Sequence, residues 1–576
     1  MLNKFAFALL LTPCLLAHAA APLELESSDG MVVTSQHLAS DVGAAILRQG
    51  GNAVDAAVAV GYALAVTHPC CGNLGGGGFM TIHLADGRNA FINFREKAPK
   101  AARADMFLDA RGNVLGSKSV DGYLAVGVPG TVMGLETARQ KFGTLPRAAL
   151  IAPSIKLAEE GFVLTRGDVD VLAEGTKGFR DQPNVAAIFL KNGNPFVPGD
   201  RLIQKDLAAT LRAISDGGTD AFYHGAIPAA AGAASRAHGG LLTAEDFSAY
   251  TVTESAPVTC LYRGYTIVSA PPPSSGGVTL CEMLQVLQGY PLAALGFHSS
   301  GTVHVMTEAM RYAYRDRNTY LGDPAFIDNP TARLLSARYA ETIRAHIQPD
   351  RATPSSALKG EAAADEHAST THYSVVDHAG NAVSVTYTIN DSFGAKVIAG
   401  STGFFLNDEM DDFTAKPGVP NMFGLVQGKA NAVAPGKRPL SSMTPTLVLK
   451  DGKPVLIVGT PGGSRIITTV LEVIVNVIDH GMTLQEAVDA PRIHHQWFPD
   501  TIAAEPFALS ADTVKSLTGM GYKVVELEPW GAGNAAESIG IAPTDPQSAK
   551  ALGFPRAAVF YGAHDSRAPA GSAAAP

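Results

Sequence analysis

A threonine stands at position 370, where a soft polar stretch gives way to TTHYSVVDHAGNAVSVTYTIN. Cutting the chain ahead of it would leave its hydroxyl as a nucleophile and its own α-amine as the base. A free α-amine has a pKa of about 7.7–8.0, close to the operating pH that general-base work favours. A serine nucleophile has to borrow a histidine for that task. The residue type equally fits a surface threonine at the head of a β-hairpin. The chemistry therefore needs partners elsewhere: an oxyanion site and groups that hold a substrate.

Four other places in the chain offer such groups. Pro461-Gly462-Gly463-Ser464 lies between the strand-like VLIVGT and an apolar helical run. Glycines at a helix N-terminus expose unpaired N–H groups at the positive end of the helix dipole, and two of them aimed at one point make an oxyanion hole. Ser441-Ser442, in KRPLSSMTPTLVL, opens another strand and presents two hydroxyls that can hold a carboxylate. In NDEMDDF (407–413), Glu409 and Asp412 could hold an ammonium group or calcium. That run lacks the ligand ladder of a calcium loop, and it also reads as solvated surface charge. Arg95 ends an apolar alternation, where its guanidinium can grip a carboxylate with two hydrogen bonds. Each feature alone has a plain counterpart as a turn, a strand start or a charged loop. As a set they suit an amide whose acyl part carries both an α-carboxylate and an α-amine, as a γ-glutamyl amide does.

The elements that must position these groups follow from the pattern. Residues 371–377 and 382–390, rich in Val, Tyr and Thr, read as strands around a turn at His378 to Asn381, with Gly380-Asn381 supplying positive φ. Residues 355–369 have no apolar stripe and read as an exposed connector. Residues 35–66 read as helices interrupted by Gly50-Gly51-Asn52. The run CGNLGGGGFMTIHL (71–84) is a glycine-rich turn feeding a strand. Without a Lys-Ser/Thr after the glycines it is no phosphate loop, and close backbone packing is the better reading. Residues 118–250 and 278–345 read as mainly helical, 370–460 as mainly strands, and 464–479 as a helix. No repeat of 20 to 50 residues and no G-x-S-x-G elbow occurs. Blocks of this kind without regular βαβ spacing predict a layered α+β fold. The tail SRAPAGSAAAP (566–576) reads as disordered from composition.

The chain has 576 residues, 46% hydrophobic and 17% charged, with 59 Gly and 36 Pro, which predicts a well-packed protein rich in turns. A net charge of −9 argues against nucleic-acid or anionic-membrane partners. Lys4, the apolar run 5–16 and Ala17-His18-Ala19 form the pattern of a secretory signal peptide, cleaved after Ala19. No later segment is apolar enough to span a bilayer, so the mature protein is expected to be soluble and periplasmic or secreted. Of five cysteines, Cys14 leaves with the signal, and Cys260 with Cys281 is a candidate disulfide for an exported protein. Adjacent Cys70-Cys71 read as packed or loop thiols. No His/Cys cluster has ligand spacing, so neither metal nor cofactor is expected.

The ordered set GGNAVDAAVA, GNLGGGGFM, FREKAP, PPPSSGG, TTHYSVVD, NDEMDDF, KRPLSSM and PGGSRIITTV, from about residue 25 to 565, resembles the γ-glutamyltranspeptidases (glutathione hydrolases) of the N-terminal-nucleophile hydrolase superfamily. The resemblance implies a four-layer αββα sandwich, made as a precursor that cuts itself between Ser369 and Thr370. The products would be a large subunit (20–369) and a small one (370–576), which stay together as a heterodimer. Thr370 would then attack glutathione or a related γ-glutamyl compound and pass the glutamyl group to water or to an amino-acid or dipeptide amine. Carried over by position, Thr388 orients Thr370, and Gly462 and Gly463 form the oxyanion hole. Arg95, Ser441 and Ser442 hold the α-carboxylate, while Asn390, Glu409 and Asp412 hold the α-amine. The run PGVPNMFGLVQG (417–428) resembles the family's bacterial lid loop. Phe423 stands where an aromatic residue, often tyrosine, covers the bound group; lacking a hydroxyl, this lid is expected to open more readily. His494-His495 beside Trp497 are assigned to packing. The rival readings are a glutaryl or cephalosporin acylase, a relative that cleaves polyglutamate, and an exported amino-acid-binding protein that never cuts itself. Asp412 argues against the acylase, because an acyl group without an α-amine has no use for an ammonium-binding acid.

Overall fold

The computed structural model describes residues 23–358, 370–528 and 534–576. The signal-peptide run with its cleavage point after Ala19, Cys14, and Ser369 all lie outside the described residues.

Alternating side chains build two antiparallel sheets of seven strands each, stacked face to face. In the first, Thr371–Asp377 pairs on one edge with Gly30–Thr34 and on the other with Ala382–Thr388, which in turn pairs with Gly77–His83. Tyr373, Val375, Val383, Val385 and Tyr387 point to one face, against the helices His37–Arg48 and Ala53–Thr67. Val376 and Ala382, one residue out of step, point to the other face. There, with Met31 and Val33, they meet Val268, Leu447, Leu449, Ile457 and Ile539 of the second sheet. A period of two thus gives each strand two buried faces. The outer face of the second sheet is covered by Gly276–Leu287, Ser300–Tyr320 and Ile466–Ile478. The result is helix, sheet, sheet, helix, the four-layer α+β arrangement expected from the sequence.

The glycine run acts as a packing device. A Cβ at Gly76 would sit 1.9 Å from the Thr388 carbonyl oxygen, and one at Gly78 would sit 2.5 Å from that of Thr386. Only glycine lets this turn lie against the strand that carries Thr388.

Three expectations fail. Residues 566–576 are not a disordered tail: Ser572–Ala574 pairs with Gly30–Thr34 as the edge of the first sheet. Backbone ladder bonds hold this segment, and composition cannot reveal them. Strands do not dominate between 389 and 445, where the described chain has only isolated bridges and two short 3-10 turns. Side chains such as Asn407, bonded to the Gly75 and Gly127 carbonyls at 2.7 and 2.9 Å, replace the ladder there. Cys70 and Cys71 are not free thiols but are bonded to each other. The Cys260–Cys281 pair is bridged, as the sequence allowed.

One buried acid outside the site carries a pH signature. Glu472, on Ile466–Ile478, accepts a hydrogen bond from Ile493 N at 2.9 Å, and burial pushes its carboxyl up to about 8 from 4.5. The folded protein keeps this proton over a range where the unfolded chain has released it. The group's contribution to stability therefore falls as pH rises from 4.5 to about 8. Glu472→Gln, which can still accept from Ile493 N, is expected to raise the melting temperature over the parent at pH 8 but not at pH 4.5, read by thermal unfolding at both values.

Candidate active site

Thr370 immediately precedes the Thr371–Asp377 strand and is 7% exposed. Because Thr371 faces Tyr387 in the ladder, the next position out puts Thr370 beside Thr388, with their hydroxyl oxygens 3.4 Å apart. Thr388 also accepts a hydrogen bond from Asn390 N at 2.8 Å. Asn390 sits at φ 78°, in the left-handed region that asparagine tolerates. That turn aims its amide at Asp408, whose main-chain carbonyl and carboxylate both accept from Nδ2 at 3.2 Å.

The second sheet brings the glycine turn. The chain leaves Lys453–Val458, passes Gly462 (φ 128°) and Gly463 (φ 55°), and enters Ile466–Ile478 through a 3-10 turn. Both angles favour glycine. A Cβ at Gly462 would lie 1.8 Å from Asn534 Oδ1, and one at Gly463 would lie 2.7 Å from the Phe423 ring. Gly463 lines the cavity beside Thr370, and Gly462 is set one residue behind it against Asn534.

Across the cavity stands Arg95, fully buried at the end of the alternation that forms Asn89–Asn93. Its Nη1 donates to Glu409, its Nη2 to Asp412, and its Nε to the Pro439 carbonyl at 3.3 Å. Glu96 lies 3.5 Å from the same guanidinium. Glu409 and Asp412, which could have been solvated surface charge, are buried. Three buried carboxylates share one guanidinium, so desolvation outweighs attraction: Glu409 is pushed well above its ordinary range, Asp412 is raised, and Glu96 rises to about 7. Such a cluster is short of positive charge. An incoming ammonium group would favour its ionised form.

Ser441 and Ser442 line the same cavity. The PPPSSGG loop holds them: Ser441 N donates to the Pro273 carbonyl at 2.9 Å, and Ser275 N donates to the Ser441 carbonyl at 2.7 Å. Ser442 Oγ accepts from Arg317 Nη2 at 2.9 Å. Sequence reasoning missed Arg317. It lies on Ser300–Tyr320, where an arginine in a helical run reads as a solvated face, yet it is 1% exposed and brings a second cation behind the serine pair.

Phe423 is buried over Gly463. Its loop is tied down without a tyrosine hydroxyl. Met422 N donates to Asp411 Oδ2 at 3.0 Å, and Gln496 Nε2 donates to the Phe423 carbonyl at 3.3 Å. Asn421 Oδ1 accepts from Phe423 N and Leu425 N at 3.0 and 3.1 Å. The sequence did not single out Gln496 or Asn421.

One cavity therefore gathers Thr370, Thr388, Asn390, Arg95, Glu409, Asp412, Phe423, Ser441, Ser442 and Gly463, drawn from segments hundreds of residues apart. Among the described residues, the group that could take a metal ion is His68 with Cys70 and Cys71, their ligand atoms within 4.8 Å of one another. The sequence reading did not find it, because the turn after Thr67 folds the imidazole back onto the sulfurs. The two sulfurs are bonded to each other. His494 does pack, its ring edge-on to Tyr314.

Two stacked antiparallel sheets between helical layers, with a threonine heading a central strand into a cavity, define the architecture of an N-terminal-nucleophile hydrolase. The family model described as gamma-glutamyltranspeptidase matches residues 39–575, and the chain belongs to that family. It is an enzyme of that family, and it resembles its members along nearly their whole length. A glutathione hydrolase proenzyme of Pseudomonas sp. (strain A14) is 58% identical over 96% of this chain and 95% of its own. One of Escherichia coli (strain K12) is 47% identical over 94% of this chain and 96% of its own. Among solved structures, a cephalosporin acylase from Bacillus halodurans superposes with a TM-score of 0.83 at 26% identity, covering 99% of both chains.

Proposed function

We propose that the chain is a precursor that cuts itself between Ser369 and Thr370 and then acts as a γ-glutamyl transferase and glutathione hydrolase. In the cut, the Thr370 hydroxyl adds to the Ser369 carbonyl carbon. The acyl group passes from nitrogen to oxygen, and water hydrolyses the ester. Fragments 20–369 and 370–576 remain paired because both sheets draw strands from each. The freed α-amine then serves as base: it takes the Thr370 proton as the oxygen attacks the γ-amide carbon. N–H groups at Gly462 and Gly463 receive the developing oxyanion, and Thr388 orients the nucleophile. Collapse expels the amine and leaves a γ-glutamyl ester, which water or an amino-acid or dipeptide amine resolves.

In this reading Arg95, Ser441 and Ser442, with Arg317 behind them, take the α-carboxylate, while Asn390, Glu409 and Asp412 take the α-amine. What carries it is that Thr370 lines one cavity with a buried acid cluster deficient in positive charge. The protein is exported, with the signal removed after Ala19. Support for the name of the substrate comes from relatives called glutathione hydrolase proenzymes. The likeness to a cephalosporin acylase keeps one rival in view.

Purified protein given a γ-glutamyl anilide is expected to release the aniline, faster when glycylglycine is added, and to ignore the matching glutaryl anilide, which lacks only the α-amine. Equal turnover of both anilides would establish the acylase instead. No turnover of either, from a chain that stays uncut, would establish the binding protein.

The lid gives a narrower prediction. Phe423→Tyr adds a hydroxyl to a ring that lines the same cavity as Asn390 and is expected to lower the donor KM and slow donor dissociation severalfold in pre-steady-state measurements. Unchanged values would mean that Gln496 and Asn421 alone set the lid.

A further inference from the structure

The Cys70–Cys71 bond lies outside the chemistry above but is mechanically joined to it. The pair follows Ala53–Thr67, with Cys70 fully buried and Cys71 8% exposed. Its two carbonyls clamp one short segment of the active site: Cys71 O accepts from Ile389 N at 3.0 Å, and Cys70 O accepts from Phe393 N at 2.7 Å. Asn390, with its left-handed φ, lies inside that clamp. The next residue, Gly72, fits so tightly that a Cβ there would stand 2.3 Å from the Tyr387 ring and 2.5 Å from Thr371 Cγ2. Those two residues neighbour Thr388 and Thr370. A bond between adjacent cysteines closes a small ring around their shared peptide and so fixes the direction of the Cys70 carbonyl, together with the Cα from which the Cys71 carbonyl departs. The other disulfide, Cys260–Cys281, ties a strand of the second sheet to the helix Gly276–Leu287 and touches none of these groups.

We propose that Cys70–Cys71 is a reducible site, opened by a small thiol, that sets how firmly the Asn390 segment grips the donor. The claim about the grip rests on the role proposed for Asn390; the claim about the bond does not. A thiolate attacks Sγ of Cys71, the member of the pair with exposed surface, forming a mixed disulfide and expelling Cys70 as a thiolate that takes a proton. A second thiolate attacks the outer sulfur of that mixed disulfide, leaves as a symmetrical disulfide, and frees Cys71, which is protonated in turn. Two electrons and two protons enter the pair while two small thiols are oxidised to one disulfide. His68 places an imidazole nitrogen within 4.8 Å of both sulfurs. The reductant class is what the proposed reaction handles: a thiol-bearing γ-glutamyl peptide or the thiol dipeptide its cleavage releases. With the ring open, the peptide between the cysteines regains its freedom and the clamp on Ile389 and Phe393 loosens.

The test titrates the whole processed protein with dithiothreitol, quenches with iodoacetamide, and reads peptide masses, donor KM and amide exchange at residues 389–393. Cys70 and Cys71 are expected to become alkylated, and the peptide masses follow Cys260–Cys281 separately so that its reduction is not confused with theirs. In step, the KM for a thiol-free γ-glutamyl anilide should rise severalfold, with a smaller change in kcat, and diamide should reverse both. Amides 389 and 393 should exchange faster. Cysteines that react only on global unfolding, or that are alkylated with KM and exchange unchanged, would overturn the proposal. Cys70→Ser with Cys71→Ser is expected to hold the high KM and to be indifferent to dithiothreitol; if that variant does not fold, the titration of the parent protein decides alone. Should the anilide not be turned over even by the oxidised protein, the proposed function fails, and the masses and exchange still decide whether this bond is a redox clamp.

Discussion

Thr370→Ala is expected to leave one uncut chain and to lower turnover of a γ-glutamyl anilide by roughly 10⁴–10⁶, the scale of removing a nucleophile from a unit of cooperating groups. Both effects share one cause in the proposed scheme, where the same hydroxyl is the attacking atom in the cut and in catalysis. The substitution removes a contact with the Thr388 hydroxyl at 3.4 Å and creates no large cavity, so thermal stability should stay close to the parent. Thr370→Ser keeps a hydroxyl and an α-amine, and it is expected to be cut and active, but slower. A gel and an anilide assay on both variants check this. An uncut Thr370→Ala chain with parental turnover would mean that the nucleophile lies elsewhere.

Arg95→Leu is expected to damage stability and donor use together. The guanidinium is fully buried and serves Glu409, Asp412 and the more distant Glu96. Removing one partner from such a set strands buried charge, at a cost of roughly 3–5 kcal/mol. Part of that cost is relieved because these carboxyls, already raised, take up protons. Turnover at low donor concentration should fall on the order of 10³-fold, because in the proposed reading the α-carboxylate loses its main cation and the acids assigned to the α-amine lose their anchor. Arg95→Lys returns the charge without the planar fork and should recover stability better than kcat/KM. Equal recovery of both would show that charge alone matters at this position, and parental kcat/KM in Arg95→Leu would remove Arg95 from the site altogether.

The parts of the fold that repeat a simple period could be read in advance. The hairpin around Gly380 matches its predicted limits to within two residues, since Val, Tyr and Thr alternate across two buried faces. The helix after Pro461-Gly462-Gly463 is equally plain, because an apolar run follows a glycine turn. Segments held by side-chain-to-backbone bonds could not be read this way, and residues 389–445 were mistaken for strands for that reason. The tail failed in the opposite direction: Ser572–Ala574 has no apolar pattern, yet it completes a sheet edge.

The candidate site was legible where a residue type is rare in its setting, as with paired glycines before a helix or an acid-rich run at 407–413; that Arg95 pairs with those acids was not. Arg317 was invisible because nothing separates a buried arginine on a helix from a solvated one until the PPPSSGG loop packs against it, with Arg317 Nε donating to Ser275 Oγ at 2.9 Å. Gln496 and Asn421 were invisible because an amide that latches a loop has no spacing rule. The Cys70–Cys71 bond could not be inferred either, since adjacency says nothing about whether folding brings the sulfurs together.

The central claim is that a threonine hydroxyl, with its own freed amine as base, attacks the substrate. Intact-mass measurement with N-terminal sequencing of the purified, active protein tests it most directly. The account predicts two polypeptides that stay together until denatured, the shorter beginning Thr370-Thr371-His372. A single continuous chain that still turns over γ-glutamyl amides, or a shorter fragment beginning at any other residue, would contradict it.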